Sequence, residues 1–199
     1  MKTKTELMSF TDGIDLESGD RLDAFELMVE SYGELNESKT NAVLVCHAFS
    51  GNHFAAGKND DGETGWWDQI IGPDKAIDTN KFFVICCNNL GGCSGSTGPK
   101  SINPKTNKAY GSSFPQVSVS DWVNSQKILM EKLNIPSWEM VLGGSLGGMQ
   151  ALQWSIAYPD KIKKAGIFAA AAKSSTQNIA MNEVAVSYTH LTLPTTPVV

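Results

Sequence analysis

The sequence of 199 residues lacks several features that mark whole classes of protein. Its four cysteines and three histidines form no C-x-x-C pair and no Cys/His cluster, so no metal-ligand spacing is recognisable. No apolar run approaches the length of a membrane span, and residues 1–10 lack the apolar core of a secretory signal. Basic runs are also absent, and the net charge of −5 argues against nucleic-acid or membrane-surface binding. We therefore expect a cytoplasmic protein without a metal site.

Strand-like and helix-like stretches alternate along the chain, which is typical of a parallel α/β sheet. Residues 42–46 and 82–87 are continuous apolar runs, as expected for strands covered on both faces. Residues 25–30 alternate in polarity like a half-exposed strand. A helix is predicted after a cap at Ser118 or Ser120. Further strands are predicted at 138–142 and 165–169.

The stretch around Ser145 organises the rest of the chain. An apolar run leads into Gly143, Ser145 and Gly147 in the Gly-x-Ser-x-Gly pattern, and a helical pattern follows. Strand, sharp turn and helix are the context of a nucleophile elbow, in which a serine stands exposed at the tip of a strained turn. The alternative is a glycine-rich turn with an incidental serine. The apolar face of the following helix is predicted to carry Met149, Leu152, Gln153 and Ile156.

Loops after the predicted strands supply the other candidates. His47, Asn88 and Ser145 each follow a strand, so they can converge at the carboxyl edge of the sheet. Residues 88–115 read as a long, structureless loop rich in glycine and asparagine, which suits a ligand-contacting wall. Cys93 in this loop has no evident helix N-terminus or basic partner to make it a thiolate nucleophile. Trp66 and Trp67 could form a substrate wall, although core packing is the commoner role of large aromatics.

Taken together, these motifs resemble one family, the homoserine O-acetyltransferases of the α/β-hydrolase fold. The resemblance runs from about residue 20 to residue 184. The elbow alone would indicate only the superfamily, whereas the Gly-Gly-Cys and Gly-Ser-Thr-Gly-Pro loop together with Gly-Trp-Trp-Asp is more specific. The motifs lie at residues 47–51 (HAFSG), 65–68 (GWWD), 71–73 (IGP), 76–79 (AIDT), 89–93 (NLGGC), 95–99 (GSTGP), 101–104 (SINP) and 143–150 (GGSLGGMQ).

The resemblance implies acyl transfer from acyl-coenzyme A, acetyl-CoA in the first place, to the hydroxyl of L-homoserine in methionine biosynthesis. Ser145 would be the nucleophile that forms an acyl-serine, and acyl-CoA would be a co-substrate, with no bound cofactor. The backbone N–H of Leu146 is expected to be one oxyanion donor, with that of Phe49 as candidate for the other. The glycines of residues 91–98 would contribute to the acyl-CoA channel. The resemblance also implies a homodimer for the full-length enzyme.

The chain departs from the family pattern downstream of Ser145. A nucleophile elbow is followed by an acid and then a histidine. The downstream histidine here is His190, and Asp160 and Glu183 are poorly placed acids. His47 and His53 precede the serine, and His47 is interpreted as a structural residue of the oxyanion loop in preference to a catalytic base.

We therefore read residues 1–186 as the N-terminal part of an α/β-hydrolase domain, truncated before its lid and its acid and base strands. Residues 187–199 read as a tail of foreign character, without helical period, such as a frameshift or vector-derived sequence would produce. The polypeptide as written is expected to be an incomplete, inactive fragment. Two alternatives stay open, an esterase or thioesterase of the same fold and a non-catalytic fragment.

Overall fold

The computed structural model describes the backbone of residues 1–191 and the side chains of residues 1–184. The helices are α1 (Val119–Lys132), α2 (Leu146–Ala157) and α3 (Thr176–Leu191), with 3-10 turns at Gly111–Ser113 and Pro159–Lys161. The strands are β1 (Thr3–Phe10), β2 (Ile14–Asp15), β3 (Arg21–Leu22), β4 (Phe25–Tyr32), β5 (Ala42–Cys46), β6 (Ile71–Gly72), β7 (Ile77–Asp78), β8 (Phe83–Cys87), β9 (Ile102–Asn103), β10 (Lys108–Ala109), β11 (Met140–Gly144) and β12 (Ala165–Phe168).

Six of these strands form one sheet in the order β1-β4-β8-β5-β11-β12. The strands β8, β5, β11 and β12 run parallel, while β4 pairs antiparallel with both β1 and β8. The mostly parallel α/β sheet predicted from the sequence is thus confirmed. Strand β11 begins two residues later than predicted, because Trp138 makes only an isolated bridge to Ile162.

Both faces of the sheet are covered over its centre. On one face, α1 and α2 pack on apolar side chains such as Leu44, Ile85 and Val141. On the other face, residues 55–77 cover a second cluster that includes Val43, Val45 and Val84. Every residue of β5 is therefore buried, as the continuous apolar run predicted. Trp66 and Trp67 lie half-buried against the second cluster, which agrees with their core interpretation.

Helix α1 starts at a capping box formed by Ser118 and Asp121. The Asp121 N–H donates to the Ser118 hydroxyl at 3.2 Å, and the Ser118 N–H donates to the Asp121 carboxylate at 2.7 Å. Of the two predicted caps, Ser118 is therefore the one used. The Ser120 hydroxyl instead accepts from the side-chain amide of Gln153, across to α2.

The predicted apolar face of α2 is wrong. Ile156 is 66% exposed, and Met149, Leu152 and Gln153 are only half-buried. The physical reason is the close approach of α2 to the sheet. Small residues permit that approach, whereas the spacing of large apolar residues marked a different side of the helix. The buried residues of α2 are Gly147, Gly148, Gln150, Ala151 and Trp154.

Two further expectations need correction. Residues 88–115 are not structureless, since β9 and β10 pair antiparallel and a 3-10 turn follows them. The sequence predicts that the tail beginning at residue 187 lacks helical character. The backbone of α3 nevertheless continues to Leu191, through the first five residues of that tail. The remainder of that tail, residues 192–199, lies outside the described residues. Among the helices that the structure describes, none is long and apolar enough to cross a membrane.

Candidate active site

Ser145 stands at the tip of the turn between β11 and α2. Its backbone has φ 54° and ψ −120°, and the residue is exposed. A positive φ at a residue other than glycine costs on the order of 1–3 kcal/mol and is concentrated at functional sites. The turn is held by two hydrogen bonds. The Ser145 N–H donates to the Phe168 carbonyl at 3.0 Å, and the Met149 N–H donates to the Ser145 carbonyl at 3.1 Å.

The glycines on either side of Ser145 have a steric reason. A Cβ atom added at Gly143 would lie 2.7 Å from the Cys46 carbonyl oxygen, and one added at Gly147 would lie 2.7 Å from the Cys46 carbonyl carbon. A Cβ at Gly144 would instead have its nearest neighbour at 3.9 Å. The end of β5 and the elbow are therefore in backbone contact, and only glycine fits at the two elbow positions that face β5. The predicted strand, turn and helix are confirmed.

The two predicted oxyanion donors lie on adjoining segments. Leu146 is the first residue of α2, and the first N–H groups of any α-helix have no intrahelical acceptor. Phe49 lies three residues beyond the end of β5, in a turn closed by the Gly51 N–H donating to the Ala48 carbonyl at 2.9 Å. Because β5 is the neighbour of β11, both segments leave the same edge of the sheet. Their oxyanion roles stay predictions.

His47 is buried and uses both ring nitrogens. Its Nδ1 lies 2.7 Å from the Ala48 carbonyl oxygen, and its Nε2 accepts from the Asn89 N–H at 3.1 Å. This pattern assigns a neutral ring with the proton on Nδ1. Burial lowers the pKa of His47, which favours the same neutral form. The ring thereby joins the loop after β5 to the loop after β8, as expected of a structural residue rather than of a base.

The acids and histidines after Ser145 are not assembled with it among the described side chains. Asp160 lies in the turn after α2, which at about 1.5 Å per residue is about 18 Å along the helix from Ser145. Glu183 is an exposed residue of α3, and the His190 side chain lies outside the described residues. Within the described part of the chain, the Ser145 hydroxyl has no hydrogen bond to a carboxylate or an imidazole.

The cysteines divide into buried and exposed thiols. Burial raises the pKa of Cys46, Cys86 and Cys87, so these thiols stay protonated and unreactive. Cys93 is exposed in the glycine-rich loop, which lines a cavity of about 410 Å³. In the described residues, no three Cys, His, Asp or Glu side chains are grouped to hold a metal ion. The contribution of this loop to an acyl-CoA channel stays a prediction.

Sequence reasoning missed a buried polar network beneath the elbow. The Gln126 side-chain amide donates to the Gln150 carbonyl oxygen at 2.6 Å, and the Trp154 indole N–H donates to the Gln126 carbonyl oxygen at 2.7 Å. The Cys46 thiol donates to the same Gln126 oxygen at 3.8 Å. The network joins α1, α2 and the last residue of β5. A signal existed in Gln150, which lies close to Gly147, Gly148 and Ala151, but the predicted apolar face of the helix did not include it.

Comparisons with known proteins agree with this geometry. A family model described as the alpha/beta hydrolase fold matches residues 41–187. A homoserine O-succinyltransferase of Hahella chejuensis (strain KCTC 2396) is 59% identical over 182 residues, covering 90% of this chain and 47% of that protein.

Two solved structures extend the comparison. The crystal structure of esterase E22 has a TM-score of 0.83 and 38% identity, covering 92% of this chain and 52% of that one. The crystal structure of a homoserine O-acetyltransferase from Bacillus anthracis has a TM-score of 0.78 and 39% identity, covering 83% and 46%. The chain thus spans about half the length of the proteins that it matches.

Proposed function

Because the chain belongs to the alpha/beta hydrolase fold family, we propose that Ser145 accepts an acyl group from acyl-coenzyme A and transfers it to L-homoserine. The observation that carries the proposal is the strained backbone of Ser145 at the end of β11, with φ 54°. A strained, exposed serine between strand and helix is how this fold presents its nucleophile. The homoserine acyltransferase names of the Hahella and Bacillus proteins support the substrate assignment.

The proposed reaction is ping-pong. The Ser145 oxygen attacks the thioester carbonyl carbon and the carbon–sulfur bond breaks. Coenzyme A then leaves as the thiol, with the serine proton. The homoserine hydroxyl attacks the acyl-serine next, and the proton of that hydroxyl returns to Ser145. The N–H groups of Leu146 and Phe49 stabilise the oxyanion, each contributing roughly 2.7–4 kcal/mol to lowering the barrier. Among the described side chains none is assigned as the general base, since His47 is occupied by its two hydrogen bonds.

The acyl group is the finer part of the proposal. The sequence resemblance pointed to acetyl-CoA, whereas the 59% identical Hahella protein is named a succinyltransferase. That higher identity favours succinyl-CoA as the donor to test first. Methionine biosynthesis, a cytoplasmic location and a homodimer are parts of the same proposal. We further propose that this chain by itself turns over poorly, because the Ser145 hydroxyl has no hydrogen-bonded base among the described residues.

Mass spectrometry of the intact chain tests the nucleophile and the donor together. The chain is incubated separately with succinyl-CoA and with acetyl-CoA, and the adduct is mapped by peptide digestion. We expect an adduct on Ser145 that Ser145→Ala abolishes. The matched control Ser18→Ala, which changes an exposed serine between β2 and β3, should keep it. An adduct that survives Ser145→Ala contradicts the proposal. The donor that labels faster identifies the acyl group.

An esterase is the second candidate, because esterase E22 shares 38% identity and a TM-score of 0.83 with this chain. Both candidates form an acyl-serine and differ in its acceptor. Loss of the adduct should therefore be followed with and without homoserine. Release that depends on homoserine and yields O-acyl-homoserine supports the transferase, while release at the same rate into water supports the esterase.

A further inference from the structure

A second cleft opens at the antiparallel side of the sheet, apart from the elbow. It has a volume of about 740 Å³, within the usual range for sites that bind small molecules. Its walls come from β1, from the middle of β4, from residues 52–63 and from residues 94–95. Neither Ser145 nor Leu146 nor Phe49 lines it. We call it the Glu30 cleft, after the one carboxyl group in its wall that is buried.

Glu30 is only 4% exposed, although it is an acid in the middle of a strand. In the sheet, Glu30 of β4 lies opposite Thr5 of β1 on one side and opposite Cys86 of β8 on the other. Neither of these neighbours carries a positive charge. No Lys, Arg or His of the described residues forms an ion pair with it. Burial of a carboxyl without a cationic partner raises its pKa, here to about 7.

Among the described residues, only the Tyr32 hydroxyl favours the charged form of Glu30, and this hydroxyl also makes other hydrogen bonds. Its oxygen accepts from the N–H groups of Ala55 at 2.7 Å and Ala56 at 3.0 Å. The hydroxyl donates its single proton to the His53 carbonyl oxygen, at a distance of 3.4 Å between the two oxygens. Glu30 therefore has at most a shared neutral donor, which leaves a buried acceptor lining an open cleft.

The other groups of the cleft favour a positive ligand. Besides Glu30, the wall carries two carboxylates, Asp60 and Glu63, and one cationic side chain, Lys58. Burial lowers the pKa of His53, so its ring is neutral at pH 7, and its buried Nδ1 has no partner among the described atoms. Hydroxyl and amide oxygens of the wall add acceptors for N–H groups. These belong to Thr3, Thr5, Asn52, Asn59 and Ser94.

We propose that the Glu30 cleft binds a small organic ammonium compound, with the Glu30 carboxylate as its counter-ion. A metal ion fits less well, because no three ligating side chains are grouped among the described residues. An ammonium group needs one carboxylate and a few further acceptors, which is what the cleft offers. The inference uses no residue of the elbow, and it shares with the loop assigned to the acyl-CoA channel only residues 94–95.

The test is a direct binding measurement on the whole chain. Putrescine and n-butylamine are titrated by calorimetry at pH 8 and pH 6, with 1-butanol as the neutral comparison. We expect both amines to bind about tenfold more tightly at pH 8, because the charged fraction of an acid with a pKa of about 7 changes about tenfold over this range. The titratable groups facing Glu30 from the packed elements are Tyr32, Cys86, His53, Lys58, Asp60 and Glu63.

Two variants assign the effect to Glu30. Glu30→Gln keeps the shape and removes the charge, and we expect it to weaken amine binding at pH 8 at least about tenfold. The matched control Glu63→Gln removes an exposed carboxylate of the same cleft and should weaken binding less than about threefold. Circular dichroism checks that each variant is folded. Absence of amine binding by the parent chain at pH 8, equal binding of 1-butanol, equal binding at both pH values or unchanged binding by Glu30→Gln each overturns the proposal.

Discussion

Strands β5 and β12 flank the same strand, β11, and run parallel to it, yet their surroundings differ greatly. No residue of β5 is more than 2% exposed, whereas Ile167 and Phe168 of β12 are 40% and 53% exposed. Both strands are apolar in sequence, so polarity does not explain the difference. Strand β5 is covered on both faces and β12 is not. Nevertheless the elbow depends on both strands, through backbone contact with Cys46 and through the Phe168 carbonyl.

Truncation of one apolar side chain in each strand should give the largest contrast. Leu44→Ala empties a fully buried position of β5 and is expected to cost about 2–5 kcal/mol of unfolding free energy. Ile167→Ala in β12 should cost less than about 1 kcal/mol, because its side chain is already in partial contact with water. Urea unfolding followed by circular dichroism measures both. Equal losses would mean that β12 is covered in solution.

The contact between the elbow and β5 is tested by two glycine substitutions in the same turn. Gly147→Ala forces a Cβ against the Cys46 carbonyl and should cost about 1–3 kcal/mol, although alanine normally favours a helix. Gly144→Ala has room, with its nearest neighbour at 3.9 Å, and should change stability by less than about 0.5 kcal/mol. If both variants unfold at the same urea concentration, the close approach to β5 is refuted.

His47, which directly follows β5, should make the free energy of unfolding depend on pH. Since burial lowers its pKa below the ordinary value, the unfolded chain binds the proton more readily than the folded chain. Its contribution to stability is complete above about pH 6.5 and is lost as the pH falls. His47→Gln should flatten the stability profile below pH 6.5. Glu30 acts in the opposite direction, because its raised pKa makes the folded chain bind the proton more readily. The profiles are therefore best compared in a Glu30→Gln background.

The exposed side chains of β12 should be detectable through the apolar surface that they form. Substituting them should change stability least. Ile167 and Phe168 leave apolar area open to water, so the chain is expected to bind a hydrophobic dye or to self-associate. Phe168→Ser should lower dye fluorescence while changing stability by less than about 1 kcal/mol. Sedimentation and dye titration measure this. A monomer that binds no dye and unfolds in one sharp transition would argue that the face of β12 is protected.

The contrast also explains what the sequence could predict. The run 42–46 and the Gly-x-Ser-x-Gly turn were readable, because a covered strand and a strained turn each leave a local pattern. The buried face of α2 was not, because glycines and one glutamine set the approach of that helix, and periodicity weighs large apolar residues. The partners of His47 could not be predicted either. Its Nε2 accepts from Asn89, a residue 42 positions away, and only the strand order brings the two together.

The hydroxyl oxygen of Tyr32 affects how often the segment after β5 opens to solvent. The Tyr32 hydroxyl accepts from the amides of Ala55 and Ala56, which lie outside any helix or strand and are fully buried. Amides held in this way exchange with deuterium only when the surrounding structure opens. These two amides should therefore exchange as slowly as those of β4 and β5. This irregular segment would then unfold in the same cooperative unit as the sheet. Tyr32→Phe should make the amides of Ala55 and Ala56 exchange faster than those of the sheet.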